Sequence, residues 1–71
     1  MNKAAVGSTL KRLRGDTPQG EVASAVGVLQ STYSMYESGQ RVPSDEVKEK
    51  IAAYFNETVQ NIFFASQPHK A

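Results

Sequence analysis

The run Gln19-Gly20-Glu21-Val22-Ala23-Ser24-Ala25-Val26-Gly27-Val28-Leu29-Gln30-Ser31-Thr32-Tyr33-Ser34-Met35-Tyr36-Glu37-Ser38-Gly39 decides how this chain folds. Thr17 offers a hydroxyl cap and Pro18 a first helical residue whose missing N–H costs nothing, so a helix is expected to open there. Val22, Ala23 and Val26 make its buried side, and Gly27 suits the left-handed position that closes it. A second helix follows almost at once. Leu29, Tyr33 and Tyr36 recur at i, i+4 and i+7 with polar Gln30, Ser31, Thr32 and Ser34 between them, and Gly39 stops the pattern. Two short helices joined by Gly27-Val28-Leu29 form a step that lets the first lie across a phosphate backbone while the second leads into a major groove. The same step also serves plain helix packing, so spacing alone does not choose between the two.

Outward from this step the chain continues as helix. Val6, Leu10 and Leu13 form one stripe upstream, ended by Gly15-Asp16. Downstream, Val42-Pro43 is extended because a residue before proline avoids the α region. Ser44 then caps a fourth helix with Asp45 and Glu46 in its first turn, where carboxylates complement the helix dipole. Val47, Ile51, Tyr54 and Phe55 give that helix its stripe, Asn56 ends it, and Thr58 caps a last short helix carrying Val59, Ile62 and Phe63. The expectation is an all-α, compact five-helix domain over residues 1–64, with 65–71 a disordered tail. There is no strand alternation and no internal repeat.

Composition narrows the function. At 71 residues the chain is one domain that buries only about 60% of its unfolded surface, which leaves little room for a deep cleft. The absence of cysteine removes disulfides and thiolate zinc sites. His69 stands alone, without partners at metal or triad spacing, so no catalytic residues, metal or cofactor are expected. No stretch of about 18 apolar residues occurs and Met1 to Thr9 lacks an apolar h-region, so the expectation is a cytoplasmic protein with no membrane partner. The net charge of +1 is too small for a sequence-independent nucleic-acid binder. Residues 1–43 nevertheless hold five basic against three acidic side chains, and residues 44–71 three against four, which turns the first half toward any polyanion.

The chain resembles the Cro/repressor-type (XRE-like) helix-turn-helix family, whose fold is the lambda-repressor-like domain with the helix-turn-helix at helices 2 and 3. Val6 to Arg14 (VGSTLKRLR) is similar to the family's first helix, Gln19 to Gly27 (QGEVASAVG) to its second, and Ser31 to Pro43 (STYSMYESGQRVP) to its recognition helix and exit. Three departures stand out. The stretch between Arg14 and Gln19 is about two residues shorter than usual, Gly20 replaces a frequent glutamate, and Leu29 replaces a frequent Ser or Thr cap. The resemblance implies a sequence-specific transcriptional regulator of phage or mobile-element type, a double-stranded DNA operator as partner, and a homodimer. The other reading is an antitoxin or protein-interaction module on the same fold.

The resemblance also implies roles. Gln30, Ser31 and Met35 stand where the family presents side chains to base edges; glutamine can pair with adenine, and methionine suits a thymine methyl. Leu29 either reaches thymine methyls or packs. Gln19, Lys11, Arg12, Thr32, Ser34 and Arg41 are candidate phosphate contacts, which position without reading sequence. Arg14 and Glu37 match the pair that ties helix 1 to helix 3. By residue spacing, Tyr33, Tyr36, Tyr54 and Phe55 belong to the core with Leu29, Val47 and Ile51. At 100° per residue Phe64 points away from Val59, Ile62 and Phe63, an exposed aromatic suited to a dimer contact.

Overall fold

The computed structural model describes residues 1–64; the tail expected over 65–71 lies outside the described residues. Five helices follow in order: α1 (Lys3–Arg14), α2 (Gln19–Val26), α3 (Gln30–Ser38), α4 (Asp45–Phe55) and α5 (Gln60–Phe64), the last a single wide turn of π type. No strand occurs among the described residues. Local signals account for most helix ends. The Asn2 side chain accepts from the Ala5 N–H at 3.0 Å, Ser44 from Val47 at 3.3 Å and Thr58 from Asn61 at 3.0 Å. Gly27, at φ 82°, ends α2 with its N–H turned back to Ser24 and that of Val28 to Ala23, which brings α3 in after two residues.

Helix 2 differs from the expectation at its start. Pro18, and not Thr17, is the cap, and it offers no side-chain bond, so α2 begins at Gln19 with its first N–H groups uncapped. Helix 3 likewise starts behind Leu29 without a side-chain cap.

Val6, Leu10, Val22, Ala23, Val26, Tyr33, Tyr36, Ile51, Ala52, Ile62 and Phe63 form one core. Two residues assigned to it by spacing are not in it. Leu29 is 72% exposed because its backbone is extended, at φ −70° and ψ 151°, and so falls off the helical stripe it was counted in. Tyr54 is 38% exposed, its ring edge-on to Phe55 at 5.0 Å, while Ile51 and Ala52 take the buried side of α4. Phe64 corrects a third expectation: it is half-buried and packs against the core. The 100° step that pointed it outward does not hold in a wide π-type turn. Lys48, buried on α4, sets its ammonium 5.8 Å above the Phe63 ring and 5.4 Å above that of Phe64, tying α5 down by cation–π attraction.

Besides the shared apolar core, two contacts bear on the angle between α1 and α3. The first is a backbone approach at Gly7: a Cβ there would overlap the Glu37 carbonyl oxygen and lie 2.8 Å from its carbonyl carbon. The second is the Glu37 carboxylate, whose side chain is only 1% exposed. Arg14 grips it in fork fashion, Nε to Oε2 at 2.6 Å and Nη2 to Oε1 at 2.9 Å, and Arg14 Nη1 also donates to the Thr17 carbonyl at 2.8 Å. Gln19, the first residue of α2, donates its amide to Oε1 at 2.9 Å. Three helices thus meet on one carboxylate. Burial pushes the Glu37 carboxyl up, but the hydrogen bonds from Arg14 and Gln19 outweigh it and hold the group below the usual glutamate range. Tyr33 reaches the same pocket, where its hydroxyl finds no partner in good hydrogen-bond geometry. Burial first, then the neighbouring carboxylate, pushes its ionisation well above the usual tyrosine range, so it stays neutral.

Three outcomes follow for stability. Gly7→Ala is expected to destabilise by about 2 kcal/mol or more in chemical denaturation, because overpacking against backbone outweighs the helix propensity gained. Arg14→Met is expected to cost about 3 kcal/mol or more by leaving a buried charge unpaired, and adding Glu37→Leu is expected to recover much of it; strictly additive losses would mean the two do not interact. Because Glu37 is held below the usual glutamate range in the folded chain, its contribution is complete above that range and is lost as pH falls through the lowered folded value. Unfolding midpoints followed into acid should therefore fall less steeply for Glu37→Gln than for wild type.

Candidate nucleic-acid interface

α3 divides cleanly by burial. Tyr33, Tyr36 and Glu37 face inward, while Gln30 and Ser31 are exposed and Thr32, Ser34 and Met35 are half-buried. Ser31 and Met35 are i and i+4, so they share the outer face, with Gln30 beside them at the leading end. Leu29 is exposed immediately before them, which settles one open alternative: it does not pack. The combination offers an amide, a hydroxyl and apolar groups along one edge. That is the chemistry of base edges and thymine methyls in a major groove.

Gln30 also bears on α2. Its amide oxygen lies 3.0 Å, and its Cδ 3.7 Å, from where a Cβ on Gly20 would stand. The leading side chain of α3 therefore lies over the bare backbone of the first turn of α2.

Gln19 has a second role that spacing did not reveal. Its amide nitrogen is committed to Glu37, which leaves the uncapped start of α2, rather than a free side-chain donor, as what this position offers an anion. Lys11 and Arg41 are exposed. Lys11 lies three residues before Arg14, about 60° from it around α1, on the side that meets α2 and α3. Arg41 follows the α3 exit, where its N–H reaches the Met35 carbonyl at 3.3 Å. Arg12 is not gathered with them. It lines a shallow groove between α1 and α5 with Thr9, Leu13, Glu57, Asn61 and Ile62, on the opposite side of α1 from Arg14. Among the described residues no three His, Cys, Asp or Glu side chains converge as metal ligands, and no helix is long and apolar enough to cross a membrane.

Gly7 was not foreseen. The available signal was a glycine inside an otherwise regular helix next to the core residue Val6, where only a packing demand offsets its poor helix propensity.

Known proteins share this fold. A helix-turn-helix family model matches residues 10–62. The transcriptional repressor RstR of the cryptic phage CTXphi, from Vibrio cholerae, is 34% identical over 56 residues, which is 79% of this chain and 50% of that protein; the chain thus spans about half the length of this curated relative. Among solved structures, the restriction-modification controller protein C.AhdI from Aeromonas hydrophila superposes with a TM-score of 0.77 at 26% identity, covering 84% of this chain and 94% of that one. The DNA-binding domain of the P22 c2 repressor superposes with a TM-score of 0.80 at 16% identity, covering 100% of this chain and 96% of that one, a likeness of fold. With an all-helical core, a three-residue link between α2 and α3, and a family match over most of its length, the chain belongs to the Cro/repressor-type (XRE-like) helix-turn-helix family.

Proposed function

We propose that this chain is a transcriptional repressor that binds a short double-stranded DNA operator by inserting the leading end of α3 into the major groove. The observation that carries the reading is the exposed edge Leu29, Gln30, Ser31 on a helix whose other side is locked to α1 and α2 through Glu37. A reading surface must hold its orientation within a fraction of an ångström, and the fork at Glu37 supplies that rigidity. Gln30 and Ser31, with Met35 behind them, read bases; an A·T-rich preference fits their chemistry. Lys11 and Arg41, Thr32 and Ser34 on α3, and the α2 N-terminus at Gln19 take phosphates. Arg12 is the weakest member of that set, because its groove opens on the α5 side.

Such a domain alone reads few base pairs, so the reading includes a homodimer with two recognition helices one DNA turn apart, about 34 Å. Its contact is placed at the α4–α5 end, where Tyr54 is exposed and Phe64 is half-buried. The reading further takes repression to act by excluding polymerase in a bacterial cytoplasm; kinship with the CTXphi repressor supports its repressor part.

Selection of duplexes from a random pool, sequenced after several rounds, tests the reading. The expected product is an inverted pair of half-sites about 34 Å apart, bound less tightly as salt rises. Gln30→Ala is expected to cost roughly 1–3 kcal/mol on that site and relax one base pair per half-site, whereas Lys11→Ala should weaken all duplexes alike and lower the salt slope by about one. A pool that shows no preference, or binding indifferent to salt, would overturn the operator reading in favour of a protein-docking module.

A further inference from the structure

We infer that Gly20 is a positioning residue for base reading: its missing side chain is the seat that orients the Gln30 amide. The inference rests on the operator reading above and adds to it a determinant that makes no contact with bases. Gln30 is the first residue of α3, exposed, and joined to its amide by three rotatable bonds. A free glutamine of this kind samples many rotamers and loses side-chain entropy when it is fixed. Here its amide oxygen lies 3.0 Å from the point where a Gly20 Cβ would stand, tighter than about nine in ten real contacts of a Cβ, so the amide would have to give by a few tenths of an ångström. Any side chain at position 20 therefore moves the amide, and the neighbour that yields is the flexible end of Gln30 rather than backbone.

Two further features fit this role. α2 is only eight residues long and lacks a side-chain cap, so a glycine in its first turn weakens an already marginal helix. Its φ is not among the positive ones, so the backbone there has no need of glycine. The space over Gly20 is instead occupied by Gln30, and a bidentate glutamine–adenine pair depends on where that amide sits. Specificity is then set by a pair of residues, one on each helix of the helix-turn-helix.

The test is a graded series, Gly20→Ala and Gly20→Leu, each also made in Gln30→Ala, with random-pool selection, duplex binding at several salt concentrations and thermal melting. The expected result is a loss of preference, about tenfold for Gly20→Leu and smaller for Gly20→Ala, at the same base pair that Gln30→Ala relaxes. Melting temperatures should not fall and the salt slope should not change, because helix propensity improves and no phosphate contact is touched. In the Gln30→Ala background neither substitution should alter preference further. An unchanged preference in Gly20→Leu overturns the inference, as does an effect that persists without the Gln30 side chain. If Gly20→Leu does not fold, Gly20→Ala decides between the same outcomes. Should wild type itself select no sequence, the operator reading fails and this inference fails with it.

Discussion

The Glu37 side chain carries a negative charge into a place where only 1% of its surface meets solvent, and a charge so placed is tolerated only if nearly every lone pair is occupied. Arg14 brings α1 to it and Gln19 brings α2, while Glu37 itself belongs to α3. Removing any partner leaves the charge short of donors, so the three helices are held in one relative orientation. The pair need not add net stability over an apolar replacement. Its consequence is geometric: the outer face of α3 is presented at one angle.

Gly7 supports the same angle by different physics. Helices separated by ordinary side chains keep their axes about 8–10 Å apart, and a glycine removes one layer of atoms between them. With Gly7 against the Glu37 carbonyl, the backbones of α1 and α3 approach at the residue whose side chain Arg14 holds. Close packing and ion pairing are thus concentrated at a single point of α3. The leading end of that helix, with Leu29, Gln30 and Ser31, is left clear of the core.

The stability devices lie away from that end. Asn2, Ser44 and Thr58 cap α1, α4 and α5, and buried Lys48 spans the rings of Phe63 and Phe64, whereas α2 and α3 start without side-chain caps. Uncapped N–H groups at α2 are favourable partners for phosphate, and an exposed leucine before α3 is favourable against a thymine methyl. On the proposed operator reading, features that leave the isolated domain without local caps are those a duplex would meet.

Sequence alone determined the helices and most of their ends, because capping, proline restriction and apolar period act within a turn or two of chain. Gly27, Gly39 and Asn56 close α2, α3 and α4 as their residue types require. The inward and outward sides of α3 were legible for the same reason, and the Arg14 and Glu37 roles came through the family resemblance. Tertiary structure decided everything that depends on which helix lies against which. It committed the Gln19 amide to Glu37, turned Arg12 toward α5, required a glycine at position 7, and laid Gln30 over Gly20. Spacing misplaced Leu29, Tyr54 and Phe64, since a periodic count assumes an ideal helix and one shared core direction. An extended cap residue, the outer edge of α4 and a wide last turn each break that assumption.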